Sequence, residues 1–255
     1  MTRHGYKVVL GLMALVLGVA ASSAETLTGS TVESRILLGF KVNDAAAQDL
    51  LPQGWTPVTL PKGPVGGSNL IVALFDRHTI LDAEGAPKNP ASGPTVAFLS
   101  YGRNSDVEGV RAFVSWVYEE PPVENPFGNS VAADISRVSG FTDEGGGVRS
   151  QTETWTIAPE AGGSLQLELD FKVGGLRWST GGESRPHSSV DPDFSRIYRF
   201  DQLAGLAMNT AMGVKLDGTA SFSASDPALP ALFDGSEELT AIVSIPVYLR
   251  QVFIP

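Results

Sequence analysis

Leu165-Gln166-Leu167-Glu168-Leu169-Asp170-Phe171-Lys172-Val173 sends five apolar side chains to one face and Gln166, Glu168, Asp170 and Lys172 to the other. A period of two is the mark of a half-buried strand. Just upstream, residues 148–158 (VRSQTETWTIA) predict a partner strand, and residues 159–163 (PEAGG) predict the hairpin turn between them. The same pattern predicts strands over residues 35–41, 70–75, 95–101, 111–119, 176–180, 220–224 and 241–248. Pro and Gly clusters punctuate them, notably PKGPVGG at 61–67 and GAPKNP at 85–90. Helical signals are short. Residues 43–51 begin with capping residues and stop at Pro52, residues 126–137 hold a second candidate, and Asp226-Pro227 opens like a helical turn. The reading is one mainly-β domain, barrel-like or sandwich-like, with two or three short helices.

The N-terminus follows a different logic. Arg3 and Lys7 precede the apolar run VVLGLMALVLGVA at 8–20, and Ala21-Ser22-Ser23-Ala24 supplies small residues for a cut after Ala24. That is the layout of a cleavable secretory signal. The run is too short for the ~20 apolar residues that span a bilayer. Residues 1–24 therefore read as a signal peptide, residues 25–255 as the working domain, and the location as periplasmic or secreted.

The net charge of −10 becomes more negative once Arg3 and Lys7 are removed. Acidity of this kind argues against nucleic acid and anionic lipid surfaces, which need clustered Lys and Arg. Soluble behaviour after cleavage follows, with a second copy of the chain left open as a partner. The chain has no cysteine, so stability must come from an apolar core, and neither thiol catalysis nor thiolate metal sites are available.

No phosphate-binding glycine motif sits between a strand and a helix. Gly128-Asn129-Ser130-Val131-Ala132 lacks the final glycine of a nucleophile elbow. Past the signal only His78 and His187 remain. Asp76-Arg77-His78 puts an acid and a base on one face, and His187 reads as an exposed loop residue. Neither a cofactor nor a metal is called for. Carboxylates are more promising: Glu119, Glu120 and Glu124 crowd near Trp116 and Tyr118, and the strand then runs into a Pro-broken loop, the density a pocket lining requires.

Three stretches together resemble the acetoacetate decarboxylase-like superfamily. They are KVNDAAAQDLLPQGWTP at 41–57, residues 69–101 with Asp76, Asp82, Glu84 and Ser92-Gly93-Pro94, and WVYEEPPVENPFGN at 116–129. The resemblance implies a cone-shaped, mostly antiparallel β-barrel around a small-molecule pocket. It implies Glu120 as the polar anchor or acid/base and Arg35 as the receiver of a substrate carboxylate. Trp116, Tyr118 and Phe127 would form apolar wall. The family's Schiff-base chemistry needs a lysine amine kept neutral by desolvation and a neighbouring ammonium. Here Phe127 and Gly128 stand where the lysines belong, and Lys41, Lys62, Lys88, Lys172 and Lys215 include no adjacent pair. The pocket is expected to be lysine-free.

The expected function is an exported pocket protein for an organic acid or keto compound, acting as a lysine-independent lyase or hydrolase. Two alternatives predict different sites. A carrier or sensor of an apolar ligand needs a purely apolar cavity. A carbohydrate-active β-sandwich needs an open groove with a carboxylate pair such as Glu119 and Glu124, ~5–9 Å apart.

Overall fold

The computed structural model describes residues 24–145 and 148–255; the signal-peptide reading falls on residues outside these, apart from Ala24. In chain order the elements are β1 (Thr26–Lys41), α1 (Asp44–Asp49), β2 (Thr56–Pro57), β3 (Leu70–Leu81), β4 (Gly93–Arg103) and β5 (Arg111–Glu119). Then come β6 (Ser130–Gly145), β7 (Val148–Pro159), β8 (Leu165–Val173), β9 (Arg177–Ser184) and β10 (His187–Ser188). After β11 (Ile197–Asn209) a 3₁₀ turn spans Thr210–Met212, followed by β12 (Gly218–Ala224) and β13 (Glu238–Ile254).

Hydrogen bonding joins eleven of these strands in the order β12-β8-β7-β6-β5-β4-β3-β1-β13-β11-β9, with β2 on β4 and β10 on β5. Neighbours are antiparallel except at β5, which pairs in parallel with β6 through Val117↔Ser130 and with β10 through His187↔Phe113. The short β10 follows β9 at one edge of the path yet pairs with β5, so the run from β5 to β9 is drawn round towards itself. The fold is the expected mainly-β barrel.

Strand β8 keeps the predicted bounds and its alternation: Leu165, Leu167, Leu169 and Phe171 are buried, while Gln166, Glu168, Asp170 and Lys172 are exposed. It forms a hairpin with β7, pairing Ile157↔Leu165. The main core lies where β6, β7, β8 and β12 cover one face of β1, β3 and β4. Ile36, Leu38, Phe40, Val72, Leu74, Val96 and Phe98 meet Trp155, Ile157, Leu167 and Phe171 there. Helix α1 is capped by Asn43, whose side chain accepts the Ala45 N–H at 2.9 Å.

Two expectations fail. Residues 126–137 hold no helix, because from Ser130 onward they belong to β6, where Ala133 and Ile135 alternate into the core. Asp226-Pro227 opens only a turn, closed by the Leu229 N–H on Asp226 O at 3.1 Å. Tertiary burial has overridden weak local signals in both places.

Candidate functional site

The second face of the curled sheet lines a cavity of about 480 Å³. Alternation decides what enters it. On β1 the even positions Ile36 and Leu38 point into the core, so Arg35 and Leu37 line the cavity. The ladders then place the lining in rows. One row reads Arg35↔Phe75, Phe75↔Thr95, Thr95↔Glu119, running from β1 through β3 and β4 to β5. The next reads Leu37↔Ala73, Ala73↔Ala97, Ala97↔Val117, with Val243 opposite Leu37. The third reads Ile71↔Leu99, Leu99↔Val114. In these rows charge is confined to the first, and Arg77, Lys88, Glu124 and Arg250 also line the cavity, as does Arg196 beside Phe127, which packs with Ala97, Val114 and Val117.

Most of that charge is already matched. Glu33 is buried beside the cavity and meets Arg35 at 2.6 Å and Arg250 at 2.7 Å. Burial alone would raise its carboxyl, but Arg250 and Arg35, with hydrogen bonds from Thr31 and Arg35, bring it down to about 2. The Arg35 guanidinium is also clamped between rings, 3.4 Å from the Tyr248 centroid and 4.4 Å from that of Phe75. Lys88 faces Glu124 at 3.7 Å.

Arg77 is different. Its Nε donates to Gly93 O at 3.1 Å, and its two terminal nitrogens make no hydrogen bond or ion pair with any described residue. Thr95, only 6% exposed, has a hydroxyl without a hydrogen-bond partner among the described residues. Its cross-strand neighbour Glu119 is equally buried, and one carboxylate oxygen accepts the Glu124 N–H at 3.1 Å and the Asn125 N–H at 3.5 Å. Desolvation pushes the Glu119 carboxyl above its ordinary range, against the opposing pull of Arg77 and those two amides. Arg196 adds a second cation, its Nε buried and unpartnered among the described residues, 5.9 Å from the Phe127 ring.

Of the residues expected to form the site, the structure brings Arg35 and Phe127 to the cavity. Three others lie elsewhere. Trp116 and Tyr118 pack on the main core, and the Tyr118 hydroxyl is bonded to Asp226 at 2.5 Å. Glu120 is exposed and borders a separate crevice of about 10 Å³, room for about one water. The chain turns the neighbouring Glu119 inward instead. Within the row Arg35 and Glu119 are three strand spacings apart, about 14 Å along the wall, so they do not form one contact.

The cavity is not lysine-free, since Lys88 lines its charged end. That amine is 37% exposed, and its partner is a carboxylate rather than a second ammonium. The histidines stay away. His78 lies 3.8 Å from Asp76, which is engaged by Arg137 at 2.5 Å on the opposite face of β3. His187 is buried rather than exposed, with Nδ1 at 3.0 Å from Pro192 O. Among the described residues no cluster of His, Asp and Glu could hold a metal ion.

No family model matches the sequence, and no curated protein matches it. Solved structures do. The enduracididine biosynthesis enzyme MppR with HEPES buffer bound superposes with a TM-score of 0.60 at 11% identity, over 90% of this chain and 86% of that one. MppR complexed with pyruvate gives 0.55 at 12%, over 92% and 91%. An acetoacetate decarboxylase-like enzyme from Sphingomonas wittichii RW1 gives 0.52 at 14%, over 90% and 91%. The chain has the acetoacetate decarboxylase-like fold.

Proposed function

We propose that the cavity binds a small organic acid, received by Arg77 and the Thr95 hydroxyl, with Glu119 as the group that moves a proton. The observation that carries this is the pairing of unused donors with a desolvated acid. The Arg77 terminal nitrogens and the Thr95 hydroxyl have no partner among the described residues, and Thr95 stands beside Glu119 across the β4–β5 ladder. A buried donor without a partner costs free energy, which an acceptor on a ligand recovers. Glu119, holding its proton above the ordinary carboxylate range, is suited to donate it to the carbonyl oxygen of a bound keto compound.

MppR, which shares the fold, is found with pyruvate, and this agrees with a keto acid here. Lysine chemistry is not part of the reading. Lys88 has the wrong surroundings for an amine nucleophile, so reaction here is a lysine-independent lyase or hydrolase step. The charged wall also disfavours a purely apolar ligand, and a cavity within one curled sheet is not the sandwich groove that a carboxylate-pair glycosidase would use. The signal-like residues 1–24 support binding outside the cytoplasm; a mature N-terminus at Glu25 in protein recovered from the periplasm tests that part.

Calorimetric titration with pyruvate and acetoacetate tests the site itself. Arg77→Gln should weaken binding about 10- to 100-fold, the worth of a charged hydrogen bond. Unchanged affinity in a folded Arg77→Gln variant would remove the proposal. Borohydride treatment in the presence of acetoacetate should leave Lys88 unmodified.

A further inference from the structure

The wall made by β1, β3, β4 and β5 is charged in its first row and apolar in the next two, and this bears on the whole length of what the cavity holds. Below the Arg35–Phe75–Thr95–Glu119 row, the two following rows are Leu37, Ala73, Ala97 and Val117, then Ile71, Leu99 and Val114. Along β3 and β4 each row is two residues further on, and on β5 the bulge at Ser115 makes the second step three, so the apolar wall reaches about 14 Å from the first row. Pyruvate-sized acids would occupy the first row and leave those walls bare.

A separate loop borders the far end. Residues 60–68 fold back on themselves, with the Leu60 N–H on Ser68 O and the Gly67 N–H on Leu60 O, both 2.8 Å. Asn209, fully buried, donates from Nδ2 to Pro64 O at 2.9 Å and Gly66 O at 3.3 Å. The Ser68 hydroxyl meets Thr240 at 2.9 Å, and Gly39 beneath it leaves room that any Cβ would take from Ser68 Oγ. Val65 thereby packs on the apolar cluster that includes Val243, opposite Leu37 of the second row, and lines the cavity. Tyr101 lines the same end, its phenol pushed up to about 12 by burial and hence neutral.

We infer that the site takes an amphipathic carboxylate with a straight chain of roughly ten carbons, matched to this wall length, its head at Arg77 and its tail reaching the loop that carries Val65. This rests on the carboxylate reading above and adds the tail. The loop acts as a stop that sets chain length.

The test is calorimetric titration with butanoate, hexanoate, octanoate, decanoate and dodecanoate, with decanol as the neutral control. Affinity should rise about fourfold per methylene, the worth of burying one CH₂, until the chain meets the loop, then break. Val65→Phe should move the break to shorter acids and Val65→Ala to longer ones, opposite shifts that loss of folding cannot imitate. Acids that bind with no dependence on length, or a break that neither variant moves, overturn the tail and leave the carboxylate site standing. Decanol binding as tightly as decanoate, or no acid binding at all, overturns the carboxylate reading and this inference with it.

Discussion

Glu33 and Glu119 are both buried glutamates beside the same cavity, and their surroundings are opposite. Glu33 has two guanidinium partners and a hydroxyl donor, and its carboxyl sits near 2. Glu119 has two backbone amides on one oxygen, no ion pair with any described residue, and a carboxyl raised by desolvation. A carboxylate whose acceptors are filled by its own protein holds structure together. One left under-solvated, facing a cavity with free donors, is available for chemistry. Arginines sort the same way: Arg35 and Arg250 are committed to Glu33, whereas Arg77 keeps its terminal nitrogens free among the described residues.

The largest effect should come from breaking the saturated member. Glu33→Gln strands two buried guanidinium groups and should cost about 3–5 kcal/mol in urea unfolding. A loss no greater than that of a surface substitution would erase the contrast. Acid titration sharpens it. Because the Glu33 carboxyl is lowered from 4.5 to about 2, its contribution is complete above about pH 4.5 and disappears as the pH falls towards 2. That contribution is about 3 kcal/mol, so wild type and the Glu33→Gln variant should converge across this window. Parallel stability curves would count against the ion cluster.

Glu119→Gln should act with the other sign and more weakly. A raised carboxyl binds its proton more tightly in the folded chain, so wild type loses stability as pH rises out of the ordinary carboxylate range. The Glu119→Gln variant escapes that loss, and unfolding curves at acid and neutral pH should show it gaining on wild type. Last, Glu120→Gln should change stability by less than about 0.5 kcal/mol and leave ligand affinity intact, as befits an exposed side chain. A clear loss of binding on that substitution would return the site to the position that the sequence suggests.

That one-residue difference shows what a sequence can reveal here. Strand β8 is legible to the residue because apolar and polar positions alternate within it, whereas β5 is legible as a run of apolar residues, Phe113 to Tyr118, broken only by Ser115. Strand β11 is not, since bulges at Leu203/Gly205 and Leu206/Met208 break its period, and β6 opens out of a loop with few apolar residues. Trp116, Tyr118 and Glu120 do share a parity, as the pattern suggests. What the pattern lacks is which parity faces the cavity, and a slip of one residue sends every side chain to the other side. Arg77 is hidden for the same reason: Asp76 and His78 draw notice, and the arginine between them points the other way. Arg35 and Phe127 come through the family resemblance, although Arg35 proves to be held by Glu33, a partner two residues away that only the folded strand reveals.

The pairing of β1 with β13 reaches beyond the site. The Thr28 hydroxyl bonds to Val252 O, 224 positions further on, and the ladder continues to Lys41↔Glu238. Strand β1 therefore has one edge that nothing nearby in the sequence can cover. On a ribosome it must wait, exposed and adhesive, while almost every other strand is made. Contacts this distant make for slow folding, and the interval favours any helper that holds the chain open until β13 arrives. The two arginines on Glu33, one from each of these strands, then act as a late clasp, fastening the earliest strand of the sheet to the latest.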